Sequence, residues 1–187
     1  MKPTLIAVLL LTLSPALSFA QHDSVNTGER TVTRVADGVY VIRHPDAPDT
    51  FPQGNTTVVV GTTGVLVVDA CYLPSSARED IAQIRTWTDL PVRYLVNTHW
   101  HYDHTMGNGV YAEAFPGLTV VAHTETRRQM AGYNPGWFER FPARADLFRQ
   151  VLERGVTSRG DTLSEDDREV YAKALAGVAP VQEEFAT

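Results

Sequence analysis

Between Leu90-Pro91 and Gly107 an apolar strand, Val92 to Val96, runs straight into His99-Trp100-His101-Tyr102-Asp103-His104. This junction constrains the fold more than any other feature of the chain. A nearly continuous apolar run of that length reads as a strand buried on both faces. The segment just past its C-terminal end is where an open sheet leaves a crevice. Three of the six histidines fall in those six residues. In extended backbone, alternate side chains share a face, so His99 and His101 reach one cation together. Asp103 and His104 are adjacent and diverge, and they turn toward a second cation where the loop bends into a helix. Imidazole suits zinc, and a carboxylate adds a harder oxygen ligand. The plainer alternative is a surface histidine cluster with Asp103 or Thr105 capping the helix that follows.

The rest of the chain organises around this point. Thr31–Val35 and Val39–Arg43 flank Ala36-Asp37-Gly38 and read as a hairpin, and Asn55–Val60 and Gly64–Asp69 read as a second. Three prolines mark residues 44–54 as a loop, with Phe51 and His44 as candidate contacts at the site edge. Ser76 with Glu79 three residues later is a capping-box pattern, followed by Ile81, Ile84 and Trp87 at helical spacing. A short helix over Gly107–Phe115 and a strand over Thr119–Ala122 come next. From residue 124 onward the pattern is helical, over about 124–131, 135–155 and 164–178. The last helix is expected to bury Val170, Tyr171, Ala174, Leu175 and Val178. Arg127, Arg128, Arg140, Arg144 and Arg149 read as solvated helix faces, with an anionic-substrate clamp as the alternative, and the later aromatics read as core, with a substrate wall as the alternative. Strands first and β-α-β units after them imply an α+β fold with a mixed sheet and helices packed on one side.

Asn97-Thr98-His99-Trp100-His101-Tyr102-Asp103-His104-Thr105-Met106-Gly107-Asn108 resembles the signature loop of the metallo-β-lactamase superfamily. Val65-Leu66-Val67-Val68-Asp69 resembles its earlier strand ending in Asp, and Val120-Val121-Ala122-His123 resembles the strand after the metal helix. The resemblance covers Val32 to about His123, the N-terminal half of the family pattern. It implies an α/β sandwich of four layers, αββα, with zinc at one edge. It also implies His99 and His101 as ligands of a first zinc and Asp103 and His104 as ligands of a second. Asp69 would brace the loop by hydrogen bonds, a metal-bound hydroxide would be the nucleophile, and Asp103 would orient that water or take its proton. The family's later ligands have no counterpart, since no histidine follows His123. The domain over residues 31–187, with 124–187 helical, is therefore expected to be truncated to the first sheet and its helices. His123 is a remote candidate for a third ligand.

Composition bounds the rest. With 187 residues, 43% hydrophobic and 20% charged, the chain is long enough for one core. A net charge of −6 and a pI near 5.4 argue against nucleic acid and leave a small-molecule substrate as the expected partner. Lys2, the apolar Leu5–Leu13 and Ser18-Phe19-Ala20 form a signal-peptide pattern over 1–20, followed by a loose polar segment over 21–30. The expectation is export to the periplasm or beyond, without stable membrane insertion once the signal is removed. Cys71 is the single cysteine, so it cannot form an internal disulfide and is expected to be buried. The functional expectation is a zinc-dependent hydrolase, with one or two ions, acting on an ester, thioester or lactam-type bond. The alternative is a truncated, non-catalytic remnant that binds zinc weakly.

Overall fold

The computed structural model describes residues 28–186 apart from 134, 135 and 158. The signal-peptide pattern over 1–20 lies outside the described residues. Six strands form one sheet in sequence order: β1 (Thr31–Ala36), β2 (Val39–Arg43), β3 (Asn55–Val60), β4 (Val65–Val68), β5 (Val92–Asn97) and β6 (Thr119–Ala122). The first four pair antiparallel, and β4–β5 and β5–β6 pair parallel. The switch falls where connections lengthen enough to carry helices. α1 (Pro74–Trp87) bridges β4 to β5, and α2 (Tyr102–Thr105) and α3 (Asn108–Ala114) bridge β5 to β6. A second group, α4 (Thr124–Tyr133), a 3₁₀ turn at Phe138–Arg140, α5 (Phe141–Arg154) and α6 (Glu165–Ala186), follows the sheet. Among the described residues no helix is long and apolar enough to cross a membrane.

The register explains which face is covered. Val58 pairs with Val67, and Val67 with Leu95, so their side chains line one face. That face packs against Ala77, Ile81 and Ile84 of α1 and Tyr111 of α3. Tyr40 stacks on Trp87 with ring centroids 3.8 Å apart, fixing the end of α1 on β2. The opposite row runs Val59–Leu66–Tyr94. Tyr94 is 49% exposed, and Val59, Val120 and Val121 are also exposed. β5 is therefore covered on one face among the described residues, not on both as its apolar run suggests. An apolar run reports what a strand prefers to touch, not which neighbours it finds.

Two helix starts differ in kind. Ser164, where the last helix is expected to start, exchanges hydrogen bonds with Asp167 in a reciprocal cap at the start of α6. Ser76 does not cap α1, which starts two residues earlier at Pro74. There the amide of Ser75 donates to the Glu184 carboxylate at 3.1 Å, so α6 supplies the acidic group that this helix start favours. The same contact explains why α6 runs through Pro180 to Ala186 rather than stopping at 178. Val181 is fully buried and Phe185 packs beside it against Tyr72 and Phe141, and this burial outweighs the roughly 3 kcal/mol that an internal proline costs a helix. On α6 the buried residues are Ala174, Gly177, Val178 and Val181, while Val170 is exposed. Arg144 is not on a solvated face. It donates to buried Asp49 at 2.7 Å and lies over the rings of Phe51, Trp137 and Phe148.

Candidate active site

The His-rich loop leaves β5 at the edge where β4 also ends, and Asp69 ties the two strand ends together. Its Oδ1 accepts from the Thr98 amide at 2.8 Å, and its Oδ2 accepts from the Thr98 hydroxyl at 2.8 Å. The same Oδ2 lies 2.9 Å from His104 Nδ1. Asp69 adopts a left-handed φ of 60°, which a non-glycine residue holds only under surrounding constraint. The His104 carbonyl accepts from the Ala70 amide and from Asn97 Nδ2, both at 3.0 Å. Asn97 and Asn108 exchange amide hydrogen bonds at 3.1 and 2.7 Å, pinning the loop's two ends to each other.

Gly54, with φ +67°, presses on this loop from the 44–54 segment. A Cβ there would lie 2.3 Å from the Asp103 carbonyl. That carbonyl belongs to the backbone and cannot step aside cheaply. The loop therefore needs a glycine opposite it, for both φ and space.

The four loop side chains gather as two pairs. His99 Nε2 lies 3.1 Å from His101 Nδ1. His104 Nε2 lies 3.0 Å from Asp103 Oδ2. The His99 and His104 rings approach to 4.1 Å between centroids, so the pairs are neighbours. Both nitrogens of His104 face carboxylates, so without a cation between them both must carry protons. Burial pushes its pKa down, but hydrogen bonds to Asp103 and Asp69 and their charges prevail and lift it to about 9. Burial raises Asp103, yet the hydrogen bond and charge of His104 outweigh it and hold the carboxyl below its ordinary value. His99 is held low by burial first, and then by the charges of His104 and His101.

These spacings suit a metal. Two ligands on one zinc at bond lengths of about 2.0–2.1 Å and near-tetrahedral angles sit about 3.3 Å apart. The N···N and N···O separations are close to this, with a proton where an ion would be. His104 also has the arrangement that fixes a ligating imidazole, with Nδ1 held by a carboxylate so that Nε2 is presented. His123 is turned away, its Nδ1 accepting from the Glu125 amide at 3.2 Å at the start of α4.

A second donor group lies in the core. His44, Cys71 and Asp80 are all buried, with ligand atoms within 4.8 Å of one another, the one such set of three among the described residues. One oxygen of Asp80 is already supplied with donors, while the other, Oδ2, is buried with no hydrogen-bond partner. Asp80 Oδ1 accepts from Arg30 Nε at 3.2 Å and Nη2 at 2.8 Å, and lies 3.1 Å from His44 Nε2. His44 Nδ1 reaches the Gly54 carbonyl at 3.0 Å. Burial pushes the Cys71 thiol far up. The Arg30 guanidinium thus stands beside the carboxylate where a metal's charge would be, and the cluster ties residue 30, residue 44 and α1 to Gly54. His44 is not at the site edge, where the sequence had placed it. Asp80→Ala is expected to cost about 3 kcal/mol by stranding buried positive charge, read as a lower urea midpoint at unchanged slope.

An open cleft of about 650 Å³ reaches the loop, lined by Phe51, Trp100, His101, Asp103, Tyr133 and Arg140 among others. Trp100 faces Tyr133 across 4.9 Å, whereas Tyr102 turns inward onto Trp137 at 3.9 Å. Both aromatics that alternate with the ligands line the cleft, and Tyr102 also packs behind the loop, in the core.

A strand-ending aspartate bracing a His-rich turn at the edge of a mixed α+β sheet defines a metallo-hydrolase-like protein. The family model for the metallo-beta-lactamase superfamily matches residues 49–181, and the chain belongs to that superfamily. The lactamase-like protein aptB of Emericella nidulans is 36% identical over 78 residues, which are 41% of this chain and 25% of that protein. The metallo-β-lactamase of Hirschia baltica aligns with a TM-score of 0.50 at 17% identity, covering 57% of this chain and 49% of that one. FIM-1 of Pseudomonas aeruginosa, a structure in the mono-zinc form, aligns with a TM-score of 0.48 at 19% identity, covering 57% and 47%. The alignments span about half the length of these solved relatives and a quarter of the curated one.

Proposed function

We propose that this chain carries the zinc-binding loop of an exported hydrolase acting on an ester, thioester or lactam-type bond. His99 and His101 would hold one ion, and Asp103 and His104 a second. The observation that carries the reading is the pairing of ligand atoms at 3.1 and 3.0 Å, with His104 oriented by Asp69. Bound zinc supplies Lewis acidity and, by lowering the pKa of water to about 7, a nucleophile at neutral pH. The side chains do the rest. Asp69 holds the His104 tautomer, and Asp103, kept ionised by its neighbour, is the group placed to orient a water or take its proton. Trp100 and Phe51 line the cleft beside the loop.

Zinc uptake carries a proton signature. Below about pH 9 His104 bears two protons, and the one on Nε2 must leave before that nitrogen can ligate. Uptake at pH 7 is expected to release about one proton through His104, read by calorimetry in buffers of different ionisation enthalpy. Affinity should fall by about tenfold per pH unit below 9 for the ion held by His104. Absence of proton release would remove His104 from the ligand set.

A second reading, a non-catalytic chain that takes up zinc weakly, is favoured by one observation: among the described residues the loop's ligands meet in twos, with no set of three. Titration of chelator-stripped protein with zinc against a chromophoric competitor separates the two. About two equivalents retained supports the hydrolase site, and less than one, loosely held, supports the weak binder.

A further inference from the structure

The cleft beside the loop carries a charge pattern that selects among substrates. Two arginines line it, and they are not equivalent. Arg144 is committed, its guanidinium paired with Asp49 and packed over three rings. Arg140 is exposed, and among the described residues no carboxylate pairs with it. Its Nη1 donates to the neutral Tyr102 hydroxyl at 3.2 Å, which holds the guanidinium at the cleft without cancelling its charge. The Tyr102 hydroxyl in turn donates to the Tyr133 carbonyl at 3.4 Å. The apolar lining near this cation includes Phe51, Pro52 and the Trp100–Tyr133 ring pair. His101 and Asp103 lie in the same cleft. A planar guanidinium presents its donors as a fork that fits a carboxylate or sulfonate, and aromatic walls favour a flat body. A cation left unneutralised in a chain of net charge −6 is notable for that setting.

We propose that this cleft receives an organic anion with a flat apolar body, its negative group on Arg140 and its body against the aromatic lining of Phe51, Trp100 and Tyr133. This rests on the reading of the His99–His104 loop as the reacting centre, because it places the scissile bond beside His101 and Asp103. Arg140 is then a specificity residue that sets substrate charge, held in place by Tyr102.

The test uses the full chain stripped of metal, so that no ion can attract the probe. Binding of 2-naphthoate, naphthalene-2-sulfonate and the neutral 2-naphthamide is measured by ligand-observed NMR. Both anions should bind about five- to tenfold more tightly than the amide. Arg140→Gln should erase that preference while leaving the amide's affinity unchanged, and Phe51→Ala should weaken all three. Arg127→Gln, a surface change on α4, should alter nothing. Equal binding of anion and amide overturns the proposal, as does a preference that survives Arg140→Gln or is lost equally in Arg127→Gln, and so does failure of every probe to bind. A carboxylate-only or sulfonate-only preference abolished by Arg140→Gln supports the clamp and names its anion. Zinc titration of the same sample keeps the two readings apart. Anion preference without zinc uptake sinks the hydrolase reading alone, and zinc uptake without anion preference sinks the clamp alone.

Discussion

Replacing His101 and Asp103 together with alanine is expected to weaken zinc binding by at least about 100-fold, because one ligand is removed from each pair. The circular dichroism spectrum should be unchanged. Neither side chain supports the core: the loop is held by Asp69, Thr98, Asn97 and Asn108, and by the Ala70 amide on the His104 carbonyl. Competition with a chromophoric chelator reads the loss. Uptake equal to that of the unaltered chain would mean these residues ligate nothing, and the zinc proposal would fall with them. Asp69→Ala should have a different signature. It frees His104 Nδ1 and the Thr98 amide together, so affinity drops by about 10- to 100-fold through misorientation, although no ligand is removed.

The largest stability effect is expected at Gly107. Its φ is ordinary, so the requirement is one of space alone. A Cβ there would lie 1.9 Å from the Ala70 carbonyl oxygen and 2.9 Å from Ala77 Cβ. Both are held by secondary structure or by its immediate continuation, and neither is the far end of a flexible chain. Gly107→Ala must therefore separate the start of α3 from the segment after β4. The hydrogen bond from the Gly107 amide to the Cys71 carbonyl is lost, and the Ala70–His104 contact that seats the loop is strained. The expected cost is about 3 kcal/mol or more, with weaker zinc binding as a consequence. Gly109→Ala, two residues along in α3, meets nothing within 4 Å. It should instead stabilise by up to about 1 kcal/mol through helix propensity. Urea denaturation of the two variants compares steric exclusion with propensity in a single helix. Equal effects would remove the packing argument at Gly107.

Much of this was legible in the order of residues. The strand boundaries, the two hairpins and the helix after β4 follow from alternation, β-branching and breakers. The start of the last helix at Ser164 follows from local pattern, and so does the crowding of His99, His101, Asp103 and His104. Such signals involve partners a few residues apart, where chain geometry alone brings side chains together. Other features were illegible for the opposite reason. Asp80 meets Arg30 across 50 positions, and Glu184 reaches Ser75 across 109. Nothing in the residues near Ser75 announces that its helix is capped from the far end of the chain. Gly54 resembles any loop glycine until the Asp103 carbonyl lies against it. Arg140 and Arg144, four residues apart on what read as one solvated face, part company only because Asp49 is beneath the second.

The sequence by itself determined that His99, His101, Asp103 and His104 crowd past one strand end, because strand period and loop spacing are properties of a continuous chain. The tertiary structure decided how they are held and what they face. Asp69 orients His104, Gly54 makes room for Asp103, and Arg140 stays unneutralised, because each depends on backbone brought close by packing over separations that no local pattern encodes.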